Sequence, residues 1–203
     1  MTEARQQVLQ AKIGAEIVDF RNDCQSIQLA TVNEQGEPNA SYAPFAYYNE
    51  QYVVLISDMA KHARNLQSVP KVSLMLIEDE KTARELFARK RLTTRADSRL
   101  VDKDSEEGKE LLGALRHRYG ERIDHLARLS DFKLFSLTPK QSLYVKGFGK
   151  AFHVDKEGKI IHLRGGHGHG HGHGHGHGHG HGHGHGHGHG HGHGHHSPAQ
   201  NSA

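Results

Sequence analysis

From His167 to His195 every odd position is histidine and every even position glycine, and His196 adds one more. Sixteen imidazoles thus sit on a backbone with almost no steric restriction, which cannot build a core. Neutral imidazole is a good donor to borderline transition metals and to haem iron, so coordination is the chemistry open to this repeat. It begins at Ile161-His162-Leu163-Arg164-Gly165-Gly166-His167, where alternating apolar and charged residues give way to Gly-His. The preceding chain reads as a compact module that ends in a ligand for iron.

The tail has no Leu, Ile, Val, Phe, Lys, Arg, Asp or Glu, so core and charge belong to residues 1–166. That length suits one domain, followed by a tail over 167–203 expected to be disordered, because nothing in it offsets the entropy of ordering. The domain's net charge is 26 − 23 = +3 with signs interspersed. It has neither a basic block nor a reading helix, which argues against nucleic acid as a partner. No apolar run approaches the ~20 residues of a membrane span, and the polar N-terminus has no apolar stretch of a secretory signal. The single cysteine, Cys24, cannot close a disulfide within the chain and reads as a packed thiol. Together these features predict a soluble protein of a reducing compartment.

The elements that would carry the chemistry are mainly strands. An amphipathic helix is expected over 3–21. Ser26–Val32 alternates in period two, Asn33–Gly36 is a turn, and Pro38–Phe45 is a strand broken at Pro44. Tyr52–Ser57 is apolar enough to be central and buried on both faces. Lys61–Ser68 is a short helix stopped by Val69-Pro70, and Val72–Ile77 is a further strand. Phe87–Val101 is expected to be one long strand with Arg89, Arg91, Thr93 and Arg95 on one face. Asp104 and Glu107 have capping-box spacing ahead of a helix ending at Tyr119, with Gly120 as its C′ residue. A short helix over 123–129, a strand over 132–137 ending before Pro139, and strands at 143–145, 151–154 and 159–163 complete the set. Gly147-Phe148-Gly149 reads as a strand bend. The fold class is therefore mainly β with peripheral helices, as a small antiparallel barrel.

Several stretches jointly resemble one family: Leu29–Val32, Ser41–Phe45, Lys61–Leu66, Leu86–Thr93, Asp131-Phe132, Val145–Gly149 and His162–His167. They resemble the split β-barrel of pyridoxamine-phosphate-oxidase-like, FMN-binding proteins, and within it the haem-utilisation proteins of the HugZ/HutZ type. The likeness spans roughly residues 10 to 167. It implies a homodimeric, cytoplasmic protein that binds haem between subunits and degrades it oxidatively to release iron, with electrons from an external donor. By motif matching, the family's axial histidine falls on His167, with His169 a competitor two residues on. The acidic residue that bonds this histidine from the other subunit falls on Asp131, and the arginine of the oxygen-binding side matches Arg91.

The residue types suit these roles. A carboxylate on the far ring nitrogen fixes an axial imidazole's tautomer and raises its donor strength. An arginine fork pairs with carboxylates such as haem propionates. The plainer readings are that Asp131 caps backbone N–H groups at a strand end and that Arg91 shares a solvated face with Arg89 and Arg95. Lys61 and His62 stand where the flavin-binding relatives carry a Ser-Arg-Lys clamp for the FMN phosphate. One lysine plus a mostly neutral histidine suits a phosphate dianion less well, which disfavours FMN. Two further function classes stay open: a haem carrier or store without turnover, and an FMN-dependent oxidoreductase. The tail could hold Zn²⁺, Ni²⁺ or Cu²⁺ at low specificity.

Overall fold

Two long strands form the spine of the molecule. A computed structural model describes residues 3–165 of the chain. In it β6 (Arg91–Val101) and β7 (Phe132–Val145) pair along the whole of β6. β1 (Ser26–Val32), β2 (Pro38–Pro44), β3 (Ala46–Tyr48), β4 (Gln51–Ser57) and β5 (Lys71–Ile77) extend the sheet in the order β2-β1-β5-β6-β7-β4-β3. The far edge of β7 serves two neighbours in turn. β4 pairs with its first half, from Ser57↔Phe132 to Tyr52↔Leu137, and β8 (Lys150–Asp155) with its second, from Gln141↔Asp155 to Val145↔Ala151. β9 (Ile160–Gly165) continues from β8. The pairings are all antiparallel and the sheet curls, giving the expected split barrel.

Pro139 does not end the strand as the sequence reading expected. The register slips where Arg95 faces Gln141 but Ala96 faces Pro139, leaving Lys140 as the extra residue of a bulge. A bulge interrupts the ladder locally, so a residue without an N–H is tolerated beside it.

The apolar run of β4 is buried on both faces because it separates two cores. Val54 and Ile56 face the barrel interior, together with Phe135 and the buried faces of α1 (Glu3–Asp23) and α2 (Lys61–Ser68). Val53 and Leu55 pack instead on Leu111, Leu115 and Ile123 of α3 (Glu106–Tyr119) and α4 (Arg122–Arg128). Burial of a large aliphatic side chain contributes roughly 1.5–3 kcal/mol, so β4 anchors both layers.

Two local expectations are corrected. Leu86–Ala88 is a 3₁₀ turn, because the Glu85 carboxylate accepts the Phe87 N–H and closes it, and the strand begins only at Arg91. Arg89 therefore does not share a strand face with Arg91 and Arg95; its guanidinium donates to the Glu78 carbonyl. The α3 cap is Ser105, whose Oγ accepts from the Gly108 N–H at 3.0 Å. Asp104 is not the cap, and Glu107 pairs with Arg99 of β6. Gly120 ends α3 with φ +71°, the C′ geometry foreseen for it.

No helix among the described residues is long and apolar enough to cross a membrane.

Candidate functional site: two half-sites on one long strand

The turn from β4 into α2 holds the first cluster. Asp131 stands in the turn just before β7, and its carbonyl accepts the Asp58 N–H at 2.6 Å. Its Oδ2 accepts from the Ser57 hydroxyl at 2.7 Å, and the Ser57 oxygen in turn accepts the Met59 N–H at 3.2 Å. The carboxylate is thus held by a side chain and does not cap a backbone N–H. Its Oδ1 accepts no hydrogen bond among the described residues, so the half-buried group keeps one acceptor for a donor from elsewhere. Arg64 braces the turn by donating to the Met59 carbonyl at 2.6 Å.

Lys61 opens α2 and is exposed. His62 is half-buried, with Nδ1 2.8 Å from Ser41 Oγ on β2. The Ser41 hydroxyl donates to the Leu29 carbonyl at 3.4 Å, which leaves its lone pair for an Nδ1–H of His62 and Nε2 as an acceptor. Burial lowers the His62 pKa, so this imidazole is neutral near pH 7. It therefore does not supply the second fixed cation that a flavin phosphate would need.

Arg91 lies at the opposite end. It is the first residue of β6, in register with Val145, the last residue of β7. Its guanidinium is half-buried and makes one long hydrogen bond, 3.4 Å to the Arg89 carbonyl, with no carboxylate partner among the described residues. Arg95, its neighbour on that face, is exposed, so the two are not equivalent. Arg91 lines a pocket of about 410 Å³ whose walls include Phe87, Val145, Phe148 and Lys150. Phe87 is 90% exposed and Phe148 70%. Gly165, the last residue of β9, is in register with Lys150.

The structure thus sets Asp131 at the start of β7, against the β4–α2 turn that leads to Lys61 and His62, and Arg91 beside the other end of β7. It does not bring Asp131 and Arg91 together within one chain. His167, His169 and the rest of the Gly-His tail lie outside the described residues. Among those residues there is no group of three side chains arranged to hold a metal.

The sequence reading missed Ser57, Ser41 and the two exposed phenylalanines. A lone serine within or at the end of a strand carries no signal of its own, whereas a Phe between two glycines did. The remaining shifted groups near the core are Tyr52, raised by burial; Tyr144, pushed up to about 12 by burial with Glu16 and Glu78 adding; and Cys24, raised by burial and Asp23.

Residues 13–146 match the family model described as pyridoxamine 5'-phosphate oxidase. A Vibrio cholerae protein named Heme oxygenase HutZ is 48% identical over 167 residues, which span 81% of this chain and 95% of that one. The crystal structure of Vibrio cholerae HutZ, there called a heme storage protein, superposes with TM-score 0.64 at 49% identity, covering 66% of this chain and 94% of that chain. Campylobacter jejuni ChuZ superposes with TM-score 0.69 at 29% identity, covering 75% of this chain and 63% of that chain. The chain belongs to the pyridoxamine 5'-phosphate oxidase-like split-barrel family and, within it, to the HutZ type of haem-utilisation proteins.

Proposed function

We propose that this protein binds haem between two copies of the chain and degrades it oxidatively, releasing iron. The observation that carries the proposal is the division of the expected site into two halves at opposite ends of β7. Each half lacks what the other holds, so two chains would complete two equivalent sites.

In such a site His167 of one chain would ligate the iron. Asp131 of the other chain accepts its far N–H at Oδ1, while Ser57 restrains Oδ2, which fixes the ring's tautomer and orientation. Arg91, half-buried without a counter-ion among the described residues, would pair with a carboxylate of the haem. Haem would supply the redox-active iron at which its own ring is oxidised, with electrons from an external donor. The residues suit this group better than FMN, because His62 is neutral and engaged with Ser41. Storage without turnover is the second reading, favoured by the description of the Vibrio cholerae structure as a heme storage protein. The Gly-His tail would add low-affinity sites for spare haem or for Zn²⁺, Ni²⁺ or Cu²⁺.

The test is a haemin titration of the full chain and of a chain ending at Gly166, followed by ascorbate in air. The full chain is expected to develop a sharp Soret band that ascorbate bleaches, and the shortened chain to lose the axial-ligand signature. A stable Soret band under ascorbate would leave storage. No haem uptake, or identical spectra from the two chains, would remove the site.

A further inference from the structure

The β7–β8 turn places a large apolar ring in water. Gly147 has φ +146° and Gly149 φ +67°, both in the region that side chains avoid, and between them Phe148 is left 70% exposed. The turn is closed by the Lys150 N–H donating to the Gly147 carbonyl at 3.2 Å. Across the same pocket the 3₁₀ turn, capped by Glu85, leaves Phe87 90% and Leu86 62% exposed. Clustered exposed apolar groups of this size mark a ligand or partner surface. The rim carries Arg91 and Lys150, two cations, and no carboxylate is among the pocket's lining residues.

We propose that Phe148 and Phe87 are two jaws that grip the porphyrin face and edge, with Arg91 and Lys150 receiving the propionates. This rests on the haem reading above and adds the residues that select a flat, apolar, dianionic macrocycle. Three observations favour that occupant. An apolar pocket with a cationic rim complements a macrocycle that is apolar over its ring and anionic at one edge. Aromatic rings gain from offset or edge-on contact with another π-system. Gly165, two positions before the histidine expected to ligate the iron, is also in register with Lys150.

The experiment uses the full chain with Phe148→Ala, Phe87→Ala and the conservative Phe148→Leu. The readouts are haem affinity, Soret position at saturation, thermal stability and molecular mass in solution. Phe148→Ala and Phe87→Ala are each expected to weaken haem binding by about tenfold, the effect of losing one buried aromatic contact. The Soret position at saturation and the melting temperature should be kept, since both rings are exposed and the axial ligand is untouched. Phe148→Leu should recover part of the affinity. Unchanged affinity in both alanine variants, with a wild type that binds haem, would overturn the jaws while leaving the haem reading intact. A variant that turns monomeric with its haem affinity unchanged would assign the patch to contact between chains and also overturn the proposal. A wild type that takes up no haem would instead remove the parent reading.

Discussion

Chains with complementary lesions decide whether the site is shared. One variant ends at Gly166 and so loses every candidate axial histidine, and the other carries Asp131→Ala. β7 runs for 14 residues, at about 3.3 Å each, so some 46 Å of strand path separates Asp131 from the end where the tail departs. Bent through a right angle at the Lys140 bulge, its ends still lie roughly 30 Å apart. From Gly165 the chain reaches His167 in two residues and His169 in four, about 14 Å at full extension. Neither His167 nor His169 can therefore meet Asp131 of its own chain.

In a mixed dimer of the two variants, one site carries both lesions. The other has an intact tail from one chain and an intact Asp131 from its partner. Random pairing after co-expression should thus restore about a quarter of the wild-type sites, although each variant alone has none. The assay is the rate of Soret bleaching under ascorbate per haem-binding dimer, or the amplitude of the axially ligated Soret band if turnover is absent. Restoration near one quarter supports a site shared between chains. Zero restoration, with mixed dimers verified by differential tagging, would refute the reasoning from β7.

Two further outcomes follow from hydrogen bonds and burial. Tyr119 Oη accepts the N–H of the fully buried Phe45 at 3.0 Å, so Tyr119→Phe leaves that donor unpaired. The loss should be about 1–3 kcal/mol, seen as a melting temperature roughly 3–8 °C lower; an unchanged value would contradict the bond. Burial also holds the folded pKa of His62 below its unfolded value, so the unfolded chain takes up that proton first as pH falls. Stability from this group is complete above about pH 6.5 and declines as pH drops toward the folded pKa. In His62→Gln the melting temperature should therefore fall less between pH 7.5 and pH 5.5 than in the wild type, and equal slopes would count against a buried neutral imidazole.

What was legible in the chain depended on whether the cause was local. The run Tyr52–Ser57 announced burial on both faces because no polar residue interrupts it, and the structure supplies a core on each side. Gly120 could be read because a helix end needs a positive φ. Pro139 could not, since its tolerance comes from the slip opposite Arg95, a partner more than forty positions away. Phe87 was misread because its fate is set by the Glu85 side chain, which turns the backbone before the strand can start. At the candidate site the residue types were visible, but their arrangement was not. Nothing in the spacing of Arg91 and Asp131 says that β7 runs end to end between them. The bend at Gly147-Phe148-Gly149 was foreseen, whereas the exposure of its ring was not.

The chemistry of the chain itself has a common direction. Tyr52, Tyr144 and Cys24 are raised and His62 is lowered, so burial drives all four toward their neutral forms. Among the described residues only the exposed Glu107, hydrogen-bonded by Arg99, is shifted toward its charged form. The carboxylate at Asp131 is restrained by Ser57, and Arg91 presents a guanidinium fork; these are tools for holding and orienting a charged ligand. In the proposed site binding and shielding would be the protein's part, and reactivity would come from the bound macrocycle. On this view the degrading and the storing readings share one site. They differ only in whether an electron donor can reach the haem, so the ascorbate experiment distinguishes them where mutation of a supposed acid or base would not.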